Sequence, residues 1–210
     1  MNYDVVPAFT SPIIQVEVEE DTSELLGHNQ YTASFETSQR LDHSNPLASQ
    51  RVLEKYPKTK EILLNKYISV AEKILQYKKR NYAITTSWFT LSKKGQGSQS
   101  HKHKNSFWSC VYYYQEEYSK GTGGILFHSP NTDLFDFAFF ENDIEKQNNI
   151  NSRSLVIQPQ PNLLLIFPSY LQHQILKHDN DTPRSSLAFN IVPLGNWGAG
   201  DSHLDSNWFQ

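Results

Sequence analysis

The sequence predicts a mainly β protein, a sandwich or barrel preceded by helical segments, and three observations carry that prediction. From Tyr82 onward, short runs of β-branched and aromatic residues recur between turn signals, with no helical pattern among them. Aromatic residues make up 13% of the chain, with 12 Phe and 11 Tyr, which suits packing on pleated surfaces. Before residue 80 the period is different: Leu63, Tyr67, Val70, Ile74 and Tyr77 recur at helical spacing.

Taken in order, the opening run Val5 to Val18 ends in alternating apolar and polar residues and predicts a first strand around Ile13 to Val18. Residues 20–45 lack clear periodicity and read as loop. Asn45-Pro46 offers an N-cap and a proline for the first position of a helix. A longer helix follows Tyr56-Pro57, with Lys60, Lys66, Lys73 and Lys78 off its apolar stripe and Lys78-Lys79-Arg80 closing it at the negative end of its dipole. Strands are then expected at Tyr82 to Leu91, Phe107 to Tyr114, Gly124 to His128 and Leu134 to Phe140. Four more follow at Ser154 to Gln158, Asn162 to Phe167, His173 to Lys177 and Ser185 to Pro193. Glu141 to Ser152 is polar and Asn-rich, which suggests a long exposed loop or lid.

Composition narrows the function classes. An apolar fraction of 38% and a net charge of −3 argue against a disordered chain and against a nucleic-acid-binding surface. The single cysteine, Cys110, has no internal disulfide partner, which points to a reducing compartment; in an apolar strand it reads as a buried, inert thiol. No basic-plus-apolar leader and no long apolar stretch are visible, so a cytoplasmic protein is expected.

The chemistry concentrates in Ser100-His101-Lys102-His103-Lys104-Asn105-Ser106. Residues i and i+2 of an extended chain point to one side, so His101 and His103 present both imidazoles to one point, a good pair of ligands for Fe, Zn, Cu or Ni. A third ligand is needed. His173, which follows an apolar strand and a Pro168-Ser169 turn, is the candidate; its ordinary reading is a surface or hydrogen-bonded strand-edge histidine. Arg184, Ser186, Ala188 and Asn190 alternate along the last strand and share a face. An arginine inside a small barrel needs an anion, and its fork suits a carboxylate, with the Ser186 hydroxyl adding a bond; the alternative is an arginine at a strand edge reaching solvent.

The order of these parts resembles the iron(II)/2-oxoglutarate-dependent oxygenases, in particular the oxygenase branch found in marine bacteria and cyanophages. The family pattern is a strand Trp, a Gly-containing loop, H-x-H-x-x-S, S-G-x-Y-Y, a G-x-L/I strand, F-P-x-x-L-x-H and R-x-S-x-x-F-N. This chain reads Ser87-Trp88, Lys94-Gly95, His101-Lys102-His103 to Ser106, Ser109-Cys110-Val111-Tyr112-Tyr113 and Gly124-Ile125-Leu126-Phe127. It continues with Phe167-Pro168 to Leu171 and His173, then Arg184 to Ser186 and Phe189-Asn190. Phe9 to Ile13 also looks like the family's opening segment. The likeness covers the chain from the Trp88 strand onward, together with its start.

The resemblance implies a double-stranded β-helix (jelly-roll, cupin-like) core with N-terminal helices packed outside it. One oxygenase-like domain would span 1–210: strand and helices at 1–80, jelly roll at 81–195, and a tail at 196–210 that docks on its own chain or in a homodimer. It implies Fe(II) held by His101, His103 and His173, and 2-oxoglutarate held by Arg184 and Ser186. A tyrosine of the Tyr112 to Tyr114 run would assist: Tyr112 and Tyr114 share a face and period does not choose between them, Tyr113 faces the other way, and Tyr112 is the one we expect. Dioxygen is the other co-substrate, and the outcome is hydroxylation of an unknown small molecule or protein in a bacterial or virus-infected cell.

Two departures matter. The usual facial triad is two His and one carboxylate, whereas His103 stands at the carboxylate position, leaving the metal one unit more positive; alternatively one of the pair acts behind the other. In Leu126-Phe127-His128-Ser129-Pro130, relatives often carry an acid before the Pro, so His128 either approaches the site or is a plain strand-end residue. Trp88, Phe107 and Trp108 are core aromatics or pocket walls. The rival readings are a cupin-like metal protein or dioxygenase that uses no 2-oxoglutarate, and a structural jelly roll without catalysis.

Overall fold

The change of period near residue 80 marks a change of architecture. The structure, a computed structural model, describes residues 10–26, 33–34, 39–40, 50–130, 144–148 and 151–209. The strands are β1 (Ile14–Glu17), β2 (Ala33–Ser34), β3 (Gln39–Arg40), β4 (Tyr82–Ser92), β5 (Trp108–Tyr113) and β6 (Ile125–His128). They continue with β7 (Ser154–Ile157), β8 (Leu163–Pro168), β9 (His173–Ile175), β10 (Arg184–Pro193), β11 (Asn196–Trp197) and β12 (Leu204–Asp205). A seven-stranded sheet has the order β1-β8-β5-β10-β4-β2-β3, a three-stranded sheet the order β7-β6-β9, and β11 and β12 form a separate pair. Pairing is antiparallel except between β2 and β4.

The central strands β5, β8 and β10 are buried along almost their whole length, which explains runs such as Leu163 to Phe167 that are apolar at every position. Alternation sorts their side chains into two cores. Cys110, Tyr112, Leu164, Ile166, Leu187, Phe189 and Ile191 face a helix-side core with Leu63, Tyr67, Val70 and Ala71 of α1 (Pro57–Lys73). Val111, Tyr113, Leu165, Phe167 and Ala188 face the three-stranded sheet, where Ile125, Phe127, Ile157 and Ile175 meet them. Fully burying one such aliphatic or aromatic side chain is worth about 1.5–3 kcal/mol, so both faces are firmly specified.

A bulge in β4 sets its faces. Asn190 pairs with Thr86 and Ile191 with Ile84, so Thr85 is the extra residue. Ile84 therefore joins the helix-side core, while Thr86, Trp88 and Thr90 line the inner cavity.

Several expectations need correction. The helix stops at Lys73; beyond it the Leu75 N–H reaches the Val70 carbonyl, the Tyr77 N–H reaches the Ala71 carbonyl, and Gln76 takes φ 54. That widened turn leads the chain off the axis, so Ile74 and Tyr77 are exposed and Lys78 to Arg80 lie past the helix. The stretch 20–45 contains a 3-10 turn, Ser23–Leu25, whose Leu25 is buried, and the short strands β2 and β3. The Asn45-Pro46 helix start, the Leu134 to Phe140 strand, the run before residue 10 and, within Glu141 to Ser152, residues 141–143 and 149–150 lie outside the described residues. Among the described residues no helix is long and apolar enough to cross a membrane.

Candidate metal centre

The His101–His103 stretch is extended without belonging to a regular strand. Its backbone lies along the chain after β8: His101 and His173 exchange both N–H···O bonds at 2.9 Å, and the His103 N–H donates to the Ser169 carbonyl at 2.9 Å. This pairing brings distant segments together. Ring centroids are 5.3 Å apart for His101 and His103, 4.5 Å for His101 and His173, and 5.3 Å for His103 and His173. One ring nitrogen from each lies within 4.8 Å of the others.

Hydrogen bonds decide which nitrogen faces inward. His101 Nδ1 lies 2.9 Å from the Gln99 carbonyl, and His173 Nδ1 lies 2.9 Å from the Leu171 carbonyl. A carbonyl only accepts, so each Nδ1 carries the proton and each Nε2 keeps its lone pair. For His103 the acceptor is the Asn190 side-chain oxygen, 2.7 Å from Nδ1, and the amide is oriented because its Nδ2 donates to Thr86 Oγ1 at 2.9 Å. Ser109 Oγ donates to the same oxygen at 2.9 Å and lies 3.0 Å from His103 Nδ1. Ser169 Oγ joins Ser109 and Ser106 at 2.8 and 2.7 Å. His173 is only 4% exposed, and burial pushes its pKa down to about 3, so it stays a neutral donor.

Trp88 leans on His103 at 5.7 Å between ring centres, and Phe167 lies edge-on to His173 at 4.9 Å. The cavity they share with the histidines is about 740 Å³, lined further by Thr90, Val111, Ile125, Ile175, Ser186 and Asn190. Phe107 is half exposed against Trp197, and Trp108 packs into the helix-side core.

Arg184 and Ser186 follow Asn190 and Ala188 on the same strand face. Arg184 is 2% exposed; its Nη2 donates to the Tyr113 hydroxyl at 3.1 Å and its guanidinium carbon lies 5.1 Å from that ring's centre. Its Nε and Nη1 are buried with no hydrogen-bond partner among the described residues. The start of β10 is pinned: Tyr118 Oη donates to the Ser185 carbonyl at 2.9 Å, and the Ser185 N–H donates to Gln115 Oε1 at 2.6 Å. Ser186 Oγ lies on the cavity wall, 2.7 Å from Thr90 Oγ1.

The expectation for Tyr112 is corrected. Its side chain lies in the helix-side core with the hydroxyl 2.7 Å from Thr22 Oγ1, so strand alternation turns it away from Arg184 and brings Tyr113 there. His128 is a strand-end residue on the alternate side of β6 from Ile125 and Phe127 and does not line the cavity. Cys110 is buried, which raises its thiol pKa and keeps it inert.

Sequence reasoning missed Ser109, Ser169 and Thr86 as the support of His103. The available signal was polarity: Ser109 is a hydroxyl in an otherwise apolar strand, on the same parity as Val111 and Tyr113. That polar position marks the site-facing side.

The donor set and the unpaired guanidinium together fit a metal with a dicarboxylate beside it. A family model described as "Putative 2OG-Fe(II) oxygenase" matches residues 86–190, half of the chain. No curated protein matches the chain. Among solved structures, the non-heme alpha ketoglutarate dependent epimerase SnoN from nogalamycin biosynthesis is 9% identical, with TM-score 0.55, over 90% of this chain and 82% of that one. Apo HygX from Streptomyces hygroscopicus is also 9% identical, with TM-score 0.55, over 88% of this chain and 82% of that one. An oxidoreductase of the 2OG-Fe(II) oxygenase family from Burkholderia pseudomallei is 10% identical, with TM-score 0.41, over 61% of this chain, which spans 55% of that one. SnoN and HygX speak for the fold, a double-stranded β-helix. Through the match over its site-bearing half, this chain belongs to the 2OG-Fe(II) oxygenase family, whose cofactor is Fe(II) and whose co-substrates are 2-oxoglutarate and dioxygen.

Proposed function

We propose that the chain is a hydroxylase in which His101, His103 and His173 hold Fe(II) and Arg184 receives the distal carboxylate of 2-oxoglutarate. The observation that carries this reading is the pairing of two features along the inward side of β10: the histidines share the cavity with Asn190, Ala188 and Ser186, and Arg184, behind that wall on Tyr113, is the next residue of the same face. Three imidazoles have their Nδ1 protons lodged on oxygen acceptors, and a buried guanidinium has two donor nitrogens with no partner among the described residues. Bound Fe(II) supplies the activation of dioxygen, and the balanced reaction converts 2-oxoglutarate, dioxygen and R–H into succinate, carbon dioxide and R–OH.

The chain's own residues orient and desolvate. Gln99, Leu171 and Asn190 fix the imidazole tautomers, so three neutral nitrogens face one point without rearrangement. Three neutral ligands leave the metal's charge undiminished, which favours a dianionic co-substrate. A guanidinium buried without an anion is strongly unfavourable, and a carboxylate accepting from Nε and Nη1 relieves that cost. Tyr113 steadies the remaining nitrogen, and Ser186 lies one inward position further along the strand. Trp88, Phe167 and Ile175 keep the cavity wall apolar. This unpaired arginine favours the reading over a metal protein without a co-acid, which has no use for it.

The test is succinate formation from 2-oxoglutarate with added Fe(II), comparing the natural chain with Arg184→Ala. Arg184 is among the largest fully buried side chains, so its truncation also opens a cavity, and thermal stability is measured beside turnover, with Arg184→Lys as the variant that keeps most of the volume. We expect turnover to fall at least about tenfold, the loss of one charge-assisted bond. Turnover indifferent to the substitution would refute the clamp.

A further inference from the structure

A second concavity of about 660 Å³ adjoins the first, and Lys102, His103 and Lys104 line both. Apart from Ser106 its other walls are apolar or aromatic: Leu75, Tyr77, Phe107, Trp108, Pro168 and Tyr170 are among them. Tyr77, Phe107 and Tyr170 are 46%, 47% and 56% exposed, so large rings surround a groove open to solvent. Its volume lies in the range of small-molecule sites. Charge adds a second constraint. Among the described residues lining either space there is no Asp or Glu, although the chain carries 22 acids against 19 bases. Lys102 and Lys104 are exposed, and neither makes an ion pair with a described residue.

We propose that the substrate is an amphipathic organic acid, with an apolar chain or ring system in the Tyr77–Phe107–Tyr170 groove and an anionic head, carboxylate or phosphate, at Lys102 and Lys104. This rests on the proposed hydroxylase reading, because His103, shared by both spaces, is what places a C–H of such a molecule beside the metal ligands. A cationic or purely neutral amphiphile lacks a partner for the two ammonium groups. A wholly polar acid leaves the aromatic walls unused.

The experiment is a binding series on the full chain, followed by tryptophan fluorescence, since Trp88 lines the cavity and Trp108 the groove. Decanoate, decyl phosphate, 1-decanol and decylamine serve as probes, below their micelle concentrations and with 2-oxoglutarate present in excess. We expect decanoate or decyl phosphate to bind at least about tenfold more tightly than decanol, the stronger of the two identifying the head group, with decylamine weakest. Lys102→Gln with Lys104→Gln should remove that preference, and Tyr170→Ser should weaken both anions and decanol together. Equal affinity for decanol, or a preference untouched by the lysine substitutions, would overturn the proposal. So would a preference lost in Arg184→Ala and kept in the lysine variant, because the probe would then occupy the co-substrate's place. Succinate formation without any probe is measured separately. Basal turnover without anion preference overturns the substrate class alone, whereas anion preference with no succinate formed, probe present or absent, overturns the hydroxylase reading and leaves only an anion-binding groove.

Discussion

Replacing Asn190 tests the logic of the candidate centre at one atom. Asn190 is 4% exposed, and its side-chain oxygen accepts from His103 Nδ1 at 2.7 Å and from Ser109 at 2.9 Å, while its amide donates to Thr86. Asn190→Ala removes all three bonds. Ser109 Oγ, 3.0 Å from Nδ1, can still take the imidazole proton, and the Thr86 hydroxyl left without its donor is only half-buried on the cavity wall, so the stability cost should be about 1 kcal/mol. Losing such a supporting partner typically weakens metal binding by 10–100-fold, and the remaining Ser109 contact places this case near the lower end, about tenfold or 1.4 kcal/mol. Asn190→Asp keeps an acceptor at the same atom and should bind metal at least as tightly as the natural chain. The assay is competitive titration of Co(II) or Fe(II), paired with nitrogen NMR of the metal-free imidazoles to read which nitrogen of His103 carries the proton. Unchanged metal affinity in the alanine variant, or equal losses in the alanine and aspartate variants, would refute the claim that acceptor chemistry at Asn190 sets the tautomer.

Other consequences follow from neighbouring contacts. Tyr113→Phe should raise the KM for 2-oxoglutarate several-fold by freeing Arg184 Nη2, whereas Tyr112→Phe should leave it unchanged and cost about 1 kcal/mol of stability at the Thr22 contact; steady-state kinetics and denaturant titration separate the two. Burial holds the His173 pKa at about 3 against 6.5 in a free imidazole, so below pH 6.5 the unfolded chain binds a proton that the folded metal-free chain refuses. Metal-free stability should therefore fall by about 2 kcal/mol between pH 7 and pH 5, and the fall should shrink in His173→Gln; denaturant midpoints across that window check it. Gly123→Ala would drive a methyl into the Leu176 carbonyl and to within 2.7 Å of the Lys177 carbonyl, both backbone atoms that have little room to give. A loss of about 2 kcal/mol or more is expected from chemical denaturation, and a neutral result would refute that packing.

How much of this was legible in the chain depends on the range of the interaction. The period of 2 after residue 80 and the inward set Arg184, Ser186, Ala188 and Asn190 are local properties, and in the structure Ser186, Ala188 and Asn190 line the cavity while Arg184 meets Tyr113 on the same side of β10. The identity of the tyrosine beside Arg184 was not local. Tyr112 and Tyr113 differ only in which side of β5 faces the small sheet, and that is fixed by pairing with β8 and β10, tens of residues away. The helix end was misplaced for a similar reason. Ile74 and Tyr77 continue the apolar spacing, but the fold turns the chain at Gln76 and leaves both exposed, Tyr77 on a groove. The β4 bulge has no marker either: Thr85 looks like its neighbours, and only the register with β10 shows that it is the extra residue.

That bulge links the two halves of the argument. With Ile84 held in the helix-side core, a regular strand would turn Thr86 to that same face, away from the cavity. The Asn190 amide would then lose the acceptor that orients it, leaving beside it only the Ser109 hydroxyl, which can donate or accept. An amide turned the other way would present N–H to Nδ1, move the imidazole proton to Nε2, and take away the lone pair on which a three-imidazole centre depends. One extra residue in β4 thus bears on which nitrogen of His103 carries the proton, so the bulge supports the candidate centre as well as the fold.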